Sequence, residues 1–150
     1  MDPNSSGRFR YLTTVHVRER SERVSVRISP VSVRMKEKAR QSSKIRELSE
    51  AVEAAGFVTL DEQAKVLGLP RSTAWTIRRA SHKASGLSAS IINRMLAAPA
   101  LPLLVRARIL EYVEEKTAGL YGGSQSQRRR FAAQLQSRNF LGYSNLKSNS

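Results

Sequence analysis

One stretch of the chain carries many basic side chains and no carboxylate, and its chemistry is that of a binding surface. No acidic residue occurs between Gln63 and Leu110. The basic residues of this stretch are Lys65, Arg71, Arg78, Arg79, Lys83, Arg94, Arg106 and Arg108. A guanidinium group can donate two parallel hydrogen bonds to a phosphate or to the edge of guanine, and an ammonium group binds phosphate as a point charge. The stretch is therefore suited to a polyanion.

The composition of the whole chain favours the same kind of partner. The 150 residues include 26 Lys and Arg against 12 Asp and Glu, which gives a net charge of +14. Nucleic acid is the commonest partner of so basic a chain, and an anionic membrane surface is the next. Cysteine is absent, which excludes disulfides and thiolate chemistry. We see no secretory signal and no apolar run of about 18 residues, and we expect a cytoplasmic protein without a membrane partner.

Two short helices joined by a tight turn must position the central cations. Thr59 and Glu62 have the spacing of a capping box, which predicts a helix start at Leu60. Gly68 fits the end of this helix, and Pro70 presets the backbone for the next one. The residues with the spacing to fill the seam between the two helices are Ala64, Leu67, Leu69, Ala74 and Ile77.

Further helical patterns surround this pair. Apolar residues at steps of three and four predict a helix that Gly56 closes, Ser88 is a suitable N-cap for another, and Pro102 precedes a last one that ends near Gly119. Residues 34–120 are therefore predicted to form a mainly α bundle of about five helices.

Two basic segments flank the predicted bundle. Residues 1–8 are expected to be disordered, and residues 9–33 alternate β-branched with polar residues, which predicts a short N-terminal β element. Residues 121–150 contain five basic and no acidic residues, two glycines at 122 and 123, and weak periodicity. We predict that this last segment is a basic flexible tail, with a short helix near Phe131 as the less favoured alternative.

The segment "TLDEQAKVLGLPRSTAWTIRRASHKAS" resembles the DNA-binding headpiece of LacI-type repressors. The matching positions are Thr59, Ala64, Gly68, Leu69, Thr73, Ala74 and Ile77. Together with the later helices, residues of about 59–96 resemble the λ-repressor-like helix-turn-helix superfamily. This chain departs from the family at three points. Pro70 stands where the family usually has a serine in the turn, Trp75 and Thr76 stand where it has a Ser-Arg pair, and no sugar-binding domain follows. The resemblance thus implies a fold and DNA binding, and leaves any small-molecule effector unknown.

Carried over to this chain, the resemblance implies that the second helix enters the major groove. The side chains expected at base edges are Arg71, Ser72 and Thr76, and those expected at phosphates are Thr73, Arg79, His82 and Lys83. Trp75 would flank the DNA backbone or pack on a thymine methyl, or else cover the small core. The run Arg128, Arg129 and Arg130 would lie along DNA as a basic arm, or else only aid solubility.

These patterns predict a sequence-specific regulator of transcription that binds double-stranded DNA as a homodimer, with repression favoured over activation and a nucleoid-associated location. We expect no enzyme activity, no cofactor and no metal, because the carboxylates are few and scattered. One alternative is a protein-interaction regulator, such as an anti-activator, on the same fold. Another is a ribbon-helix-helix DNA binder formed by residues 22–55, and RNA binding ranks last.

Overall fold

The computed structural model describes residues 29–135, and this part of the chain is mainly helical. Its six helices are α1 (Pro30–Ala54), α2 (Leu60–Leu67), α3 (Arg71–Arg78), α4 (Ala89–Ala97), α5 (Leu103–Thr117) and α6 (Gln125–Gln134). The chain divides into a short unit that ends at Met35 and a larger unit that begins at Lys36. None of the helices within residues 29–135 is long and apolar enough to cross a membrane.

The first helix begins earlier than the sequence patterns predict. Ser29 Oγ accepts a hydrogen bond from the backbone N–H of Ser32 at 3.3 Å, as an N-cap does, and Pro30 occupies the first helical position. Residues 30–33, which we assigned to the β element, are therefore helical. The rest of that predicted element, residues 9–28, and the segment 1–8 lie outside the described residues.

The predicted seam between α2 and α3 is confirmed. Ala64, Leu67, Leu69, Ala74 and Ile77 are all less than one-tenth exposed. They belong to the core or pack at its edge, and the core continues through α1, α4 and α5. Burying these side chains from both sides of the turn fixes how α3 lies on α2, so the outward residues of α3 are held on a rigid support.

The predicted helix signals around this seam are also confirmed. Thr59 Oγ1 accepts from the N–H of Glu62 at 3.2 Å, and the Glu62 carboxylate accepts from the N–H of Thr59 at 3.1 Å. Gly68 ends α2 in the left-handed conformation, with φ 66°. A Cβ atom on Gly68 would lie 3.3 Å from that of Ala98, so the turn also passes close to the end of α4. Ser88 caps α4 as expected.

The C-terminal segment differs from the predicted flexible tail. Residues 125–134 form α6, and Ser124 and Gln127 close a capping box at its start. Phe131 is only 7% exposed and packs on the core, while Asn93 Nδ2 donates to the carbonyl of Gln134 at 2.9 Å. One buried aromatic ring and a capped first turn thus hold a helix that is otherwise polar. Residues 136–150 lie outside the described part.

Candidate nucleic-acid interface

Helix α3 has a buried face and an exposed face. Ala74 and Ile77 are each 1% exposed, and they pack towards the core. The residues exposed on α3 and at its C-terminal cap are Arg71, Ser72, Trp75, Arg78 and Arg79. The helix therefore presents three guanidinium groups, a hydroxyl and an indole ring on the side that does not contact the core.

Arg71, at the first position of α3, has a carboxylate partner that we did not predict. Its Nη1 lies 3.4 Å from Asp61 Oδ1, although Asp61 precedes the cation-rich stretch in sequence. The two side chains remain 68% and 75% exposed. An exposed ion pair of this kind contributes about 0–1 kcal/mol, so Arg71 can exchange Asp61 for a better partner at small cost.

The two threonines of α3 have less freedom than the sequence suggested. Thr73 and Thr76 are half-buried, and Thr76 Oγ1 donates to the carbonyl of Thr73 at 2.7 Å. With its proton used inside the helix, the Thr76 hydroxyl can accept a hydrogen bond from a partner but has no proton left to donate. Thr76 is therefore a weaker candidate for reading base edges than Ser72, which is fully on the surface.

Trp75 and Arg79 form one unit on the exposed face. Trp75 is 44% exposed, and the guanidinium carbon of Arg79 lies 5.1 Å from the centre of its ring. This tryptophan does not serve as a cover for the core, which was the alternative. The cation–π contact holds Arg79 beside the indole, so a flat apolar surface and a positive charge are presented together.

The residues after α3 turn the chain through an unusual conformation. Ala80 has φ 50°, and it is the sole non-glycine residue with positive φ among residues 29–135. The N–H of Ser81 donates to the carbonyl of Thr76 at 2.9 Å, and that of Ala80 to the carbonyl of Ile77 at 3.0 Å. This is the Schellman pattern, with alanine at the position where glycine is usual.

His82 does not bring the positive charge that a phosphate contact would use. Its side chain is half-buried, and burial is the main cause that lowers its pKa, followed by the nearby charges of Lys38 and Lys116. A histidine with a pKa below the ordinary 6.5 is largely neutral at pH 7. Within residues 29–135 its Nδ1 has no hydrogen-bond partner. Lys83, in contrast, is exposed.

A buried hydrogen-bond network ties the loop after α3 to two other helices. The Tyr112 hydroxyl accepts from the N–H of Leu87 at 2.9 Å and donates to Gln41 Oε1 at 3.0 Å. Gln41 Nε2 in turn donates to the carbonyl of Ala84 at 3.0 Å. Burial raises the pKa of Tyr112, so it stays protonated. Sequence reasoning missed this network, because Gln41 and Tyr112 lie 71 residues apart.

The three arginines of the predicted arm have two different environments. Arg129 and Arg130 are exposed on α6, a helix that packs against α4 and α5. Arg128 is half-buried instead, and a Cβ atom on Gly119 would come within 2.7 Å of its Nη1. Helix α3 packs against α2. The cations of α3 thus lie together on one helix. Arg128, Arg129 and Arg130 lie on a different helix, α6, and are part of a folded element.

Neither metal ligation nor similarity to known proteins adds a further assignment. Within the described residues, no group of three or more His, Cys, Asp or Glu side chains is placed to hold a metal ion. Comparison of the chain with protein-family models, with curated proteins and with solved structures gives no match. Helix α3 and the loop that follows it are therefore interpreted on their geometry and charge.

Proposed function

We propose that this protein is a sequence-specific DNA-binding regulator of transcription that inserts α3 into the major groove of double-stranded DNA. The observation that carries the proposal is the division of α3 into two faces. Ala74 and Ile77 are buried, whereas Arg71, Ser72 and Trp75 are exposed. A recognition helix needs a fixed inner face and an outer face whose polar groups can reach base edges.

The order of the helices supports a λ-repressor-like arrangement. Helices α2 and α3 and the turn between them would be the helix-turn-helix, α1 would precede it, and α4 and α5 would complete the five-helix bundle. Helix α6 would be an addition to this fold. The glycine at Gly68 and the small side chain of Ala64 are what such a turn requires, since both allow the two helices to approach closely.

The charge distribution supports a polyanionic partner. Between Gln63 and Leu110 the chain has no acidic residue, and the whole chain carries a net charge of +14. Binding to DNA would release condensed counterions, which is the main source of affinity for so basic a surface. Asp61 of α2 would have to give up its pairing with Arg71, which begins α3.

Each exposed side chain of α3 has a distinct role in this proposal. Arg71 and Ser72, in the first turn, would contact base edges, where arginine favours guanine. Arg79 and Lys83 would bind phosphates and position the helix. Trp75 would pack its exposed face against a thymine methyl or a sugar. His82 would contact a phosphate as a neutral N–H donor and not as a cation, because burial lowers its pKa.

Repression by a homodimer is the form of regulation that we propose. A recognition helix of eight residues reads few bases, so two copies on paired half-sites would be needed for specificity. Repression requires only that the site be occupied. The ribbon-helix-helix alternative loses support, because residues 30–54 form a single unbroken helix and leave no second helix among residues 29–55.

A second candidate function is binding to an acidic protein partner. It is favoured by the Trp75–Arg79 pair, since tryptophan and arginine are the residues most enriched at the energetic centres of protein interfaces. Helix α3 would be the contact surface in both cases, so the two functions differ in partner and not in site.

The proposal is tested by selecting bound fragments from random double-stranded DNA and then measuring how variants of two basic residues bind the selected site. We expect Arg71→Ala to relax preference at one base position, at a cost of about 1–3 kcal/mol for the selected site. Lys83→Ala should weaken all sequences alike and lower the salt slope by about 1. Arg46→Ala, which removes an exposed arginine of α1, is the matched control and should leave base preference unchanged.

The selection itself gives the outcome that would reject sequence-specific binding. Recovery of unrelated fragments with no shared motif, or equal loss of base preference in the Arg71 and Lys83 variants, would contradict the roles proposed for α3. Absence of DNA binding together with tight binding to an acidic protein would favour the second candidate.

A further inference from the structure

A cavity of about 390 Å³ lies between α5, α6 and the loops at residues 84–85 and 121–123. The residues that line it are Ala84, Ser85, Lys116, Tyr121, Gly122, Gly123, Gln127, Arg128 and Phe131. Its volume is within the range of small-molecule sites, and two aromatic rings and two cations form part of its wall. None of these residues belongs to α3, although Ala84 and Ser85 directly follow Lys83, which is proposed to bind a phosphate.

Lys116 is held rigidly at the cavity wall. Its Nζ donates to the carbonyls of Ser85 and Leu87 at 2.7 and 2.8 Å, and lies 4.4 Å from the centre of the Phe131 ring. Two of its three N–H donors are thus used, and Nζ also lies 5.8 Å from the centre of the Tyr112 ring. Burial of the ammonium group lowers the pKa of Lys116 to about 8.

Arg128 supplies the second and independent observation. Its Nε is buried and has no hydrogen-bond partner within residues 29–135, although its side chain lines the cavity. Solvent barely reaches this N–H, so a ligand in the cavity would meet the Arg128 guanidinium at its Nη groups. A carboxylate can accept hydrogen bonds from Arg128 and Lys116 together.

Glu37 and Glu115 lie near the cavity but do not line it. Glu37 reaches Gly122, where a Cβ atom would lie 2.6 Å from its Oε2, but it is not among the lining residues. Glu115 accepts from the Tyr121 hydroxyl at 2.6 Å and is paired with Arg40 at 2.9 Å. The wall of the cavity thus has two cations and no carboxylate.

We propose that this cavity binds a small organic anion with a flat apolar body, such as an aromatic carboxylate. The carboxylate would bind the guanidinium of Arg128 and the ammonium of Lys116, and the ring would pack against Phe131 and Tyr121. The proposal does not depend on DNA binding, because the ligand and the cavity can be tested on the protein alone.

Titration of the full chain with benzoate, followed by NMR of labelled backbone amides, tests the site. We expect shifts to concentrate at residues 84–85 and 121–131, and affinity at least about tenfold above that of neutral benzamide, since a charge-assisted hydrogen bond is lost with the carboxylate. Inorganic phosphate is the second comparison, because it has the charge without the ring, and it should bind more weakly than benzoate.

Two arginine variants of α6 make the test specific. Arg128→Gln should lower benzoate affinity about tenfold or more, whereas Arg130→Gln removes the same charge from an exposed position and should leave it unchanged. The amide spectrum of each variant reports whether the fold is kept. Equal binding of benzoate and benzamide, binding of phosphate as tight as that of benzoate, or equal effects of the two variants would overturn the proposal.

Discussion

The hydroxyl of Tyr112 is predicted to be a main stabilising contact of the loop that follows α3. Tyr112 is 1% exposed, and its hydroxyl makes one hydrogen bond as acceptor and one as donor. Tyr112→Phe removes only this oxygen. The N–H of Leu87 and the Oε1 of Gln41, which is also 1% exposed, would then lose their partners without gaining access to water.

The expected cost follows from these two groups. A buried donor or acceptor that is left unsatisfied costs about 1–3 kcal/mol, so we expect Tyr112→Phe to lower the free energy of unfolding by about 2–4 kcal/mol after partial relaxation. Little room exists for a replacement, because a Cβ atom on Gly86 would already clash with Gln41 Oε1 and with the Tyr112 hydroxyl oxygen.

Urea denaturation followed by far-ultraviolet circular dichroism measures this loss. Tyr121→Phe is the matched control, since its hydroxyl donates to Glu115, which keeps its ion pair with Arg40. That variant should cost less than about 1 kcal/mol. If Tyr112→Phe cost less than about 0.5 kcal/mol, or if both variants cost the same, the buried network would not hold the loop as described.

Three further predictions concern the elements around α3. Thr59→Ala should lower the free energy of unfolding by about 1 kcal/mol in urea denaturation, because it removes half of the capping box; a neutral result would contradict that role. Ala80→Gly should raise it by about 0.5–1 kcal/mol, because glycine has no steric penalty at φ 50°, and a loss would show that this strain is absent. His82 has a lowered pKa in the folded chain, so the unfolded chain binds the proton first and stability should fall as the pH drops from about 7 to 5. His82→Gln should flatten this dependence, and an NMR pKa of His82 above 6.5 would contradict it.

Local sequence signals predicted the α2–α3 pair well. The capping box at Thr59, the left-handed glycine at Gly68 and the cap at Ser88 each involve residues within one turn of each other, so their chemistry can be recognised without tertiary contacts. The same kind of signal was present at Ser124 and Gln127, and the polar composition of the segment led us to favour a flexible tail instead.

The details that differ from prediction depend on partners distant in sequence. Arg71 meets Asp61 across the turn, and His82 is neutralised by burial and by Lys38 and Lys116 from two other helices. The position of Arg128 over Gly119 likewise requires the packing of α6 on α5. Periodicity identifies which face of a helix is buried, but it does not reveal which neighbour covers a given charge.

The salt dependence of DNA binding tests the central proposal most directly. We predict that the affinity of the full chain for a double-stranded DNA fragment falls linearly on a double-logarithmic plot against salt concentration. Each phosphate neutralised contributes a slope of about −0.9, so phosphate contacts from Arg79, Lys83 and two or more further basic residues should give a slope steeper than about −3. A flat salt dependence, or no measurable binding to DNA at low salt, would contradict the assignment of α3 as a DNA-binding helix.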